Sequence, residues 1–270
     1  MSSKVERHPI NQEIRNTISS RYKRITKAIN IAFWNSESDS LHSIYVGSYG
    51  RDTAITTSDI DILFEMPDAE YEHFTNMTGN GPSRLLQAVK NAILDTYPRS
   101  LVRGDGQVVV VSFSDGMKFE ILPTFRNELW GTWDGTYKYP DTHMGGNWLS
   151  ANPRAEIEAI NNKDKESNGL FKATCQHIRY VRDTKFTSYH LSGILIDSFV
   201  YLAIGGWHFL RDGEEHSGGN CSFEEVLASK YDEMALSVAI SRTLKAPGSN
   251  TLVDATKGWD ILGKILNYMV

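Results

Sequence analysis

Two aspartates one residue apart, at the head of an apolar run, constrain this chain more than any other feature. Asp59 and Asp61 open the stretch Ile60 to Met66, in which Ile60, Ile62, Leu63, Phe64 and Met66 are apolar. In a strand, side chains alternate faces, so Asp59 and Asp61 point one way while Ile60 and Ile62 point into a core. Two like charges side by side repel unless a cation lies between them. Hard oxygen donors of this kind suit Mg²⁺ or Mn²⁺. A solvent-facing edge strand would account for a lone Asp-x-Asp equally well, so the context has to decide.

Ten residues separate Ser48 from Asp59, and just before them a short apolar run, Ile44-Tyr45-Val46, ends at Gly47-Ser48. A glycine beside a serine lets backbone N–H groups approach a phosphate closely. A phosphate cradle and a metal-binding pair at one strand end point to chemistry on a nucleoside triphosphate. Two-metal phosphoryl transfer uses a third carboxylate. Glu120, between Phe119 and Ile121 in Lys118-Phe-Glu-Ile-Leu-Pro123, is the candidate. An acid between large apolar neighbours is costly to bury unpaired. A solvent-facing Glu120 is the plainer alternative, and Asp115, in a turn, is a weaker candidate for the same role.

The bulk numbers exclude several classes. A chain of 270 residues can bury a substantial core as one large domain or two lobes. No apolar run approaches the ~18–20 residues that span a bilayer. The N-terminus shows no apolar signal region, so a cytoplasmic protein without a membrane partner is expected. Cys175 and Cys221 lack metal-like spacing and are expected as reduced thiols. A net charge of −5 argues against a protein whose task is to hold long nucleic acid, while a small anionic substrate stays compatible.

Periodicity organises the rest. Ile10, Ile14, Ile18, Ile25, Ile29 and Phe33 form one stripe of a long helix over 10–33, with Arg15, Arg21, Lys23, Arg24 and Lys27 on its remainder. Strands are predicted at 43–46 and 60–66, a loop over 67–82 and a helix over about 82–96. Further strands are expected at 101–103, 108–113 and 117–122, with turn signals at Gly104-Asp105-Gly106 and Ser114-Asp115-Gly116. Residues 126–152, rich in Trp, Tyr and Gly, read as a long loop. Helices follow over about 153–163, 169–184, 190–209, 222–241 and 254–268, punctuated by Gly205-Gly206 and Gly218-Gly219. The expected class is α+β: a mixed sheet with helices on one side in residues 1–125, an aromatic-rich connection in 126–152, and an α-helical lobe in 153–270.

The stretches GSYGRDTAITTSDIDILFE and KFEILPTF resemble the DNA polymerase beta-like nucleotidyltransferase superfamily, and within it the bacterial CD-NTases related to cyclic GMP–AMP synthase. IRYVRDTKFTSYHLSGILIDSFV (178–200) resembles the helical-lobe segment that meets the donor triphosphate in that family. The resemblance implies that Gly47 and Ser48 hold the donor phosphates and that Arg179 and Ser188 contact the triphosphate, with Arg182 as the alternative to Arg179. It makes Asp59, Asp61 and Glu120 the catalytic metal ligands, for two Mg²⁺ or Mn²⁺ ions. Many members carry Asp at the Glu120 position, and Lys is commoner at that of Arg179. The activity implied is attack of an acceptor nucleotide's 2′- or 3′-hydroxyl on the α-phosphate of an NTP. ATP, GTP or pyrimidine NTPs would then close into a cyclic oligonucleotide messenger of anti-phage defence, a cyclic dinucleotide first among them. No long nucleic acid partner and a monomeric state are expected. An RNA-end, protein or small-molecule nucleotidyltransferase and an inactive nucleotide sensor are the rival readings.

Overall fold

The computed structural model describes residues 3–214 and 221–270. The Gly218-Gly219 break expected above lies outside the described residues. The chain forms two compact units, one of residues 11–50 and 58–154, the other of residues 1–10, 51–57 and 155–270.

Alternation along one strand organises the first unit. In β2 (Ile60–Glu65), Ile60, Ile62 and Phe64 are at most 1% exposed, while Asp61 and Glu65 on the opposite face are half-buried. The buried face is covered by helices α1 (Gln12–Trp34) and α4 (Gly81–Thr96). Asn11 caps α1 by accepting from the Ile14 N–H at 2.8 Å, and Asn35, left-handed at φ 49°, ends it. Ile18, Ile25 and Ile29 are its inward stripe. On α4, Leu85, Leu86, Val89 and Ile93 are almost fully buried. Each such side chain contributes about 1.5–3 kcal/mol of transfer free energy. A hydroxyl relay pins α1 to β1 (Ser43–Val46): Thr26 and Ser43 lie 2.9 Å apart, and Ser43 donates to the Tyr22 oxygen at 2.7 Å.

The sheet runs β1-β2-β5-β4-β3. β4 (Val108–Ser112) and β5 (Lys118–Leu129) are joined at the predicted Ser114-Asp115-Gly116 turn, whereas β3 (Leu101–Asp105) runs through the expected Gly104-Asp105 positions, which pair with Val109 and Val108, and turns at Gly106-Gln107. β2 and β5 are parallel neighbours and the other pairs in this row are antiparallel. Pro123, with no N–H to give, falls after the last partner from β4 (Ile121↔Val109) and before the first from β6 (Phe125↔Lys138).

The long loop expected over 126–152 does not exist. β5 continues to Leu129, turns at Trp130-Gly131 with φ of 56° and 75°, and returns as β6 (Thr132–Asp141), which pairs with β7 (Asn147–Ala151). Of the aromatics that suggested a loop, Trp133, Tyr137, Tyr139 and Trp148 lie in strands, while Trp130 sits exposed in the turn. Tyr137 is 1% exposed, and Trp148 packs edge-on against Phe125 and Tyr71. The loop expected over 67–82 also contains a helix, α3 (Asp68–Thr75), and Gly47–Gly50 forms a single turn, α2.

The second unit packs α5 (Pro153–Glu166) from Ala155 onward with α6 (Leu170–Lys185), α7 (Gly193–Ala203), α8 (Phe223–Ser241) and α9 (Trp259–Met269), and adds a hairpin of β8 (Thr243–Lys245) and β9 (Leu252–Asp254). α7 stops well short of 209, ahead of Gly205 at φ 54°. A capping box of Ser222 and Glu225 starts α8. Its core includes Phe171, Ile178, Phe199, Phe223, Leu227, Leu262 and Ile265, all fully buried. Within it lies an ionic centre. Asp197, 0% exposed, accepts from Arg179 Nη1 at 2.7 Å, Arg51 Nε at 3.0 Å and the Thr53 hydroxyl at 3.0 Å. Arg51 also pairs with Glu156 at 3.1 Å. Among the described residues no helix is long and apolar enough to cross a membrane.

Candidate active site

Strand register brings the acidic residues to one face of the first unit's sheet. Asp61 stands between Val46 of β1 and Glu120 of β5, each a direct partner. Partners on neighbouring strands point to the same face and lie about 4.8 Å apart. Asp59 is exposed and immediately precedes β2, two residues from Asp61 and so on its face. Glu120 feels that proximity. Burial, and then the charge of Asp59, hold its carboxyl above the usual range, against the pull of Lys118 and Arg103.

The Gly47 turn closes over this face. Gly47 has φ +58°, and a Cβ added there would lie 1.7 Å from Asp61 Oδ2. Only glycine allows the backbone so near the carboxylate and at that angle. Ser48 follows in the same turn. Beside the acidic group, Val46, Leu63 and Tyr137 form a small apolar floor.

The donor set is oxygen only and rich in negative charge, which fits a hard divalent cation. The backbone places Asp59, Asp61 and Glu120 on one face, yet among the described residues no group of three His, Cys, Asp or Glu side chains is drawn together closely enough to hold a metal ion. The closed three-carboxylate cage expected from the sequence is therefore not formed by these side chains as they stand. Like charges on one face repel, which favours side chains held apart over a cluster. The alternative, Asp115, is committed elsewhere, in a paired fork with Arg21 at 2.9 and 3.0 Å.

The two residues expected at the triphosphate lie in the second unit. Arg179 is 1% exposed and donates to Asp197, to the Cys175 carbonyl at 3.1 Å and to the Gly193 carbonyl at 2.9 Å. Its guanidinium is spent on internal partners, a place that offers nothing to a phosphate. Ser188 is exposed in the turn after α6. Arg182 is half-buried, paired with Asp183 and donating to the Leu191 carbonyl at 2.8 Å.

Two features went unread in the sequence. Lys118 and Arg103 share the acidic face with Glu120, an alternation (Lys118, Glu120) that strand period 2 makes visible. Asp197 is the lone charge in the apolar run of α7, and such a charge requires a buried partner.

A mixed sheet that carries a glycine-closed turn before an Asp-x-Asp strand, with a third carboxylate in register on the next strand, defines a polymerase beta-like nucleotidyltransferase core. Residues 4–164, more than half of the chain, match the family described as Second Messenger Oligonucleotide or Dinucleotide Synthetase domain. The chain belongs to that family, the bacterial CD-NTases. A curated relative, the cyclic AMP-AMP-AMP synthase of an Acinetobacter strain, is 29% identical over 143 residues, covering 53% of this chain and 39% of that protein. The match thus spans about two fifths of the relative's length. In fold, the chain is similar to the CdnE cyclic dinucleotide synthase of Elizabethkingia meningoseptica, solved with GTP and Apcpp (TM-score 0.61, 14% identity, 99% of this chain and 92% of that one). It is also similar to the di-nucleotide cyclase DncV of Vibrio cholerae (TM-score 0.64, 12% identity, 94% and 83%).

Proposed function

We propose that this chain is a metal-dependent nucleotidyltransferase that joins NTPs into a cyclic oligonucleotide, a second messenger of anti-phage defence. The observation that carries the reading is the register of Asp61 with Glu120, with Asp59 on the same face beneath the Gly47 turn. Asp59, Asp61 and Glu120 supply the oxygen ligands for two Mg²⁺ or Mn²⁺ ions. Such ions, when bound, activate the attacking hydroxyl and neutralise the triphosphate. Backbone N–H groups of Gly47 and Ser48 hold the donor phosphates, and Lys118 adds positive charge on the same face. The work asked of the protein is positioning and charge neutralisation, the main sources of acceleration in phosphoryl transfer. Arg179, by its burial, is a structural partner of Asp197 in this reading, and the triphosphate contact in the helical unit passes to exposed groups such as Ser188.

Ring size has two supports. The E. meningoseptica and V. cholerae neighbours are named as dinucleotide-forming enzymes, whereas the 29%-identical relative is named for a trinucleotide. Incubating the protein with Mg²⁺ or Mn²⁺ and radiolabelled NTPs, with and without an RNA oligomer, then mass spectrometry of the products, tests the reading. A phosphatase-resistant cyclic product is expected. Only linear additions to an RNA end would favour the terminal transferase, and no product with any NTP pair would contradict an enzyme altogether.

A further inference from the structure

Of the three acidic residues, Asp59 has no strand ladder to hold it. Asp61 and Glu120 are fixed by register, whereas the pairing of β2 with β5 begins at Ile60. Asp59 lies exposed where the chain enters β2, after a turn at Thr56-Thr57 and a bend at Ser58. Residues 51–57, which link the Gly47 turn to this stretch, belong to the second unit. They are anchored there along their length. Arg51 and Thr53 donate to Asp197, Ala54 and Ile55 are buried, and the Asp52 carbonyl accepts from Gln176 Nε2 at 3.3 Å.

One further anchor lies two residues before Asp59. The Thr57 hydroxyl donates to Asp183 Oδ2, near the C-terminal end of α6. Arg182 holds that carboxylate in turn, Nε giving to Oδ1 at 2.5 Å and Nη2 to Oδ2 at 3.1 Å. The remaining nitrogen of the guanidinium, Nη1, donates to the Leu191 carbonyl at 2.8 Å, and Leu191 is buried. A relay of hydrogen bonds thus runs from the buried chain at Leu191, through Arg182 and Asp183, to the turn before Asp59. Burial would raise the Asp183 carboxyl. The bonds from Arg182 and Thr57 outweigh it and hold the group below the usual range, so an ionised acceptor meets the threonine hydroxyl. Thr57 is itself exposed, so the bond contributes little to global stability. What it fixes is local, the backbone of residues 57–59.

We propose that Asp183 is a positioning residue for the metal site: by holding the Thr57 hydroxyl it fixes the turn that presents Asp59 beside Asp61 and Glu120. This rests on the nucleotidyltransferase reading, in which Asp59 is a metal ligand. Like charges on one face repel, so an untethered Asp59 ahead of the strand would swing away from the other two. A turn anchored on a carboxylate opposes that motion, the part that outer-shell hydrogen bonds play for metal ligands generally. Asp183 and Thr57 act through the backbone of residues 57–59 and touch neither metal nor nucleotide.

Mn²⁺ titration followed by electron paramagnetic resonance, on the full chain with α,β-methylene ATP, tests the role without turnover. Thr57→Val and Asp183→Ala should each weaken Mn²⁺ binding about 10–100-fold, the usual loss when an outer-shell partner is removed. The double variant should lose no more than Asp183→Ala alone, as expected for two ends of one hydrogen bond. Thr57→Ser, which keeps the hydroxyl, should bind Mn²⁺ as wild type does. The Thr57 variants should melt within a few degrees of wild type, because the residue is exposed. If Asp183→Ala fails to fold, Thr57→Val against Thr57→Ser decides. Unchanged Mn²⁺ affinity in Thr57→Val, an equal loss in Thr57→Ser, or additive losses in the double variant overturn the positioning role alone. Wild-type Mn²⁺ binding that Asp59→Asn leaves unchanged, or no binding at all, overturns the metal site and the reading beneath it.

Discussion

Asp61 of β2 and Glu120 of β5 are direct register partners on adjacent parallel strands, pointing to one face of the sheet. That pairing is fixed by the backbone, so it holds whatever rotamers the two side chains adopt. Val46 on the other flank of Asp61 leaves Glu120 as its acidic neighbour in the row.

Asp61→Asn and Asp59→Asn should each lower turnover by more than about 100-fold, because groups that merely orient metal ligands already cost 10–100-fold when lost. The melting temperature should stay within a few degrees of wild type or rise, since each change removes a like charge from a crowded face. Product formation and thermal unfolding on the same preparations check both halves.

Gly47→Ala should abolish activity and destabilise, and two causes can be separated. The left-handed backbone costs about 1–2 kcal/mol for any residue with a Cβ. In addition the Cβ would meet Asp61 Oδ2 at 1.7 Å. Gly116→Ala provides the comparison, for Gly116 has φ +87° and nothing within 4 Å of its Cβ position. Denaturation midpoints should show the backbone cost in both variants and a larger loss for Gly47→Ala alone.

Arg179→Ala and Asp197→Asn should act on stability, at about 3–5 kcal/mol each, because each leaves a buried charge without its partner. Burial opposes charge on Asp197, and Arg179 and Arg51 outweigh it, holding its carboxyl below the usual range. A depressed carboxyl contributes stability at neutral pH that is lost as pH falls through its folded pKa. Urea unfolding at pH 7 measures the loss. Full stability of Arg179→Ala together with a raised KM for NTP would instead restore Arg179 to the triphosphate.

Stability should also decline as pH drops below about 6.5, the ordinary histidine value. His8 Nε2 and His177 Nδ1 lie 3.3 Å apart, and His8 stacks on Tyr180 at 4.0 Å. Burial holds both rings below that value, with Glu6 opposing. The unfolded chain therefore binds protons that the folded one refuses, so stability is complete above pH 6.5 and falls beneath it. His8→Asn should flatten the slope of denaturation midpoint against pH between 5 and 7.

The first unit was largely legible because its signals are local. The stripe Ile18, Ile25, Ile29 and the alternation at Ile60, Ile62 and Phe64 each name a buried face without reference to partners. Gly47 was legible as a tight turn, though not its closure over Asp61, which depends on register between strands. The 126–152 segment misled because glycines and exposed aromatics mark loops and twisted hairpins alike. Here Gly131 sits at positive φ in the hairpin turn and Gly135 at positive φ within β6, where its register with β5 shifts. Arg179 misled for a different reason: sequence shows a charge on a helix, and only packing shows that Asp197, on another helix, consumes it. The α7 carboxylate was the available clue.

The central claim is that Asp59, Asp61 and Glu120 together hold divalent metal for an NTP. Soaking crystals in MnCl₂ with a non-hydrolysable ATP analogue and measuring the manganese anomalous signal tests it most directly. The account predicts strong peaks within coordinating distance of all three carboxylates, lost in Asp61→Asn. Peaks elsewhere, or none while the analogue is visibly bound, would contradict it.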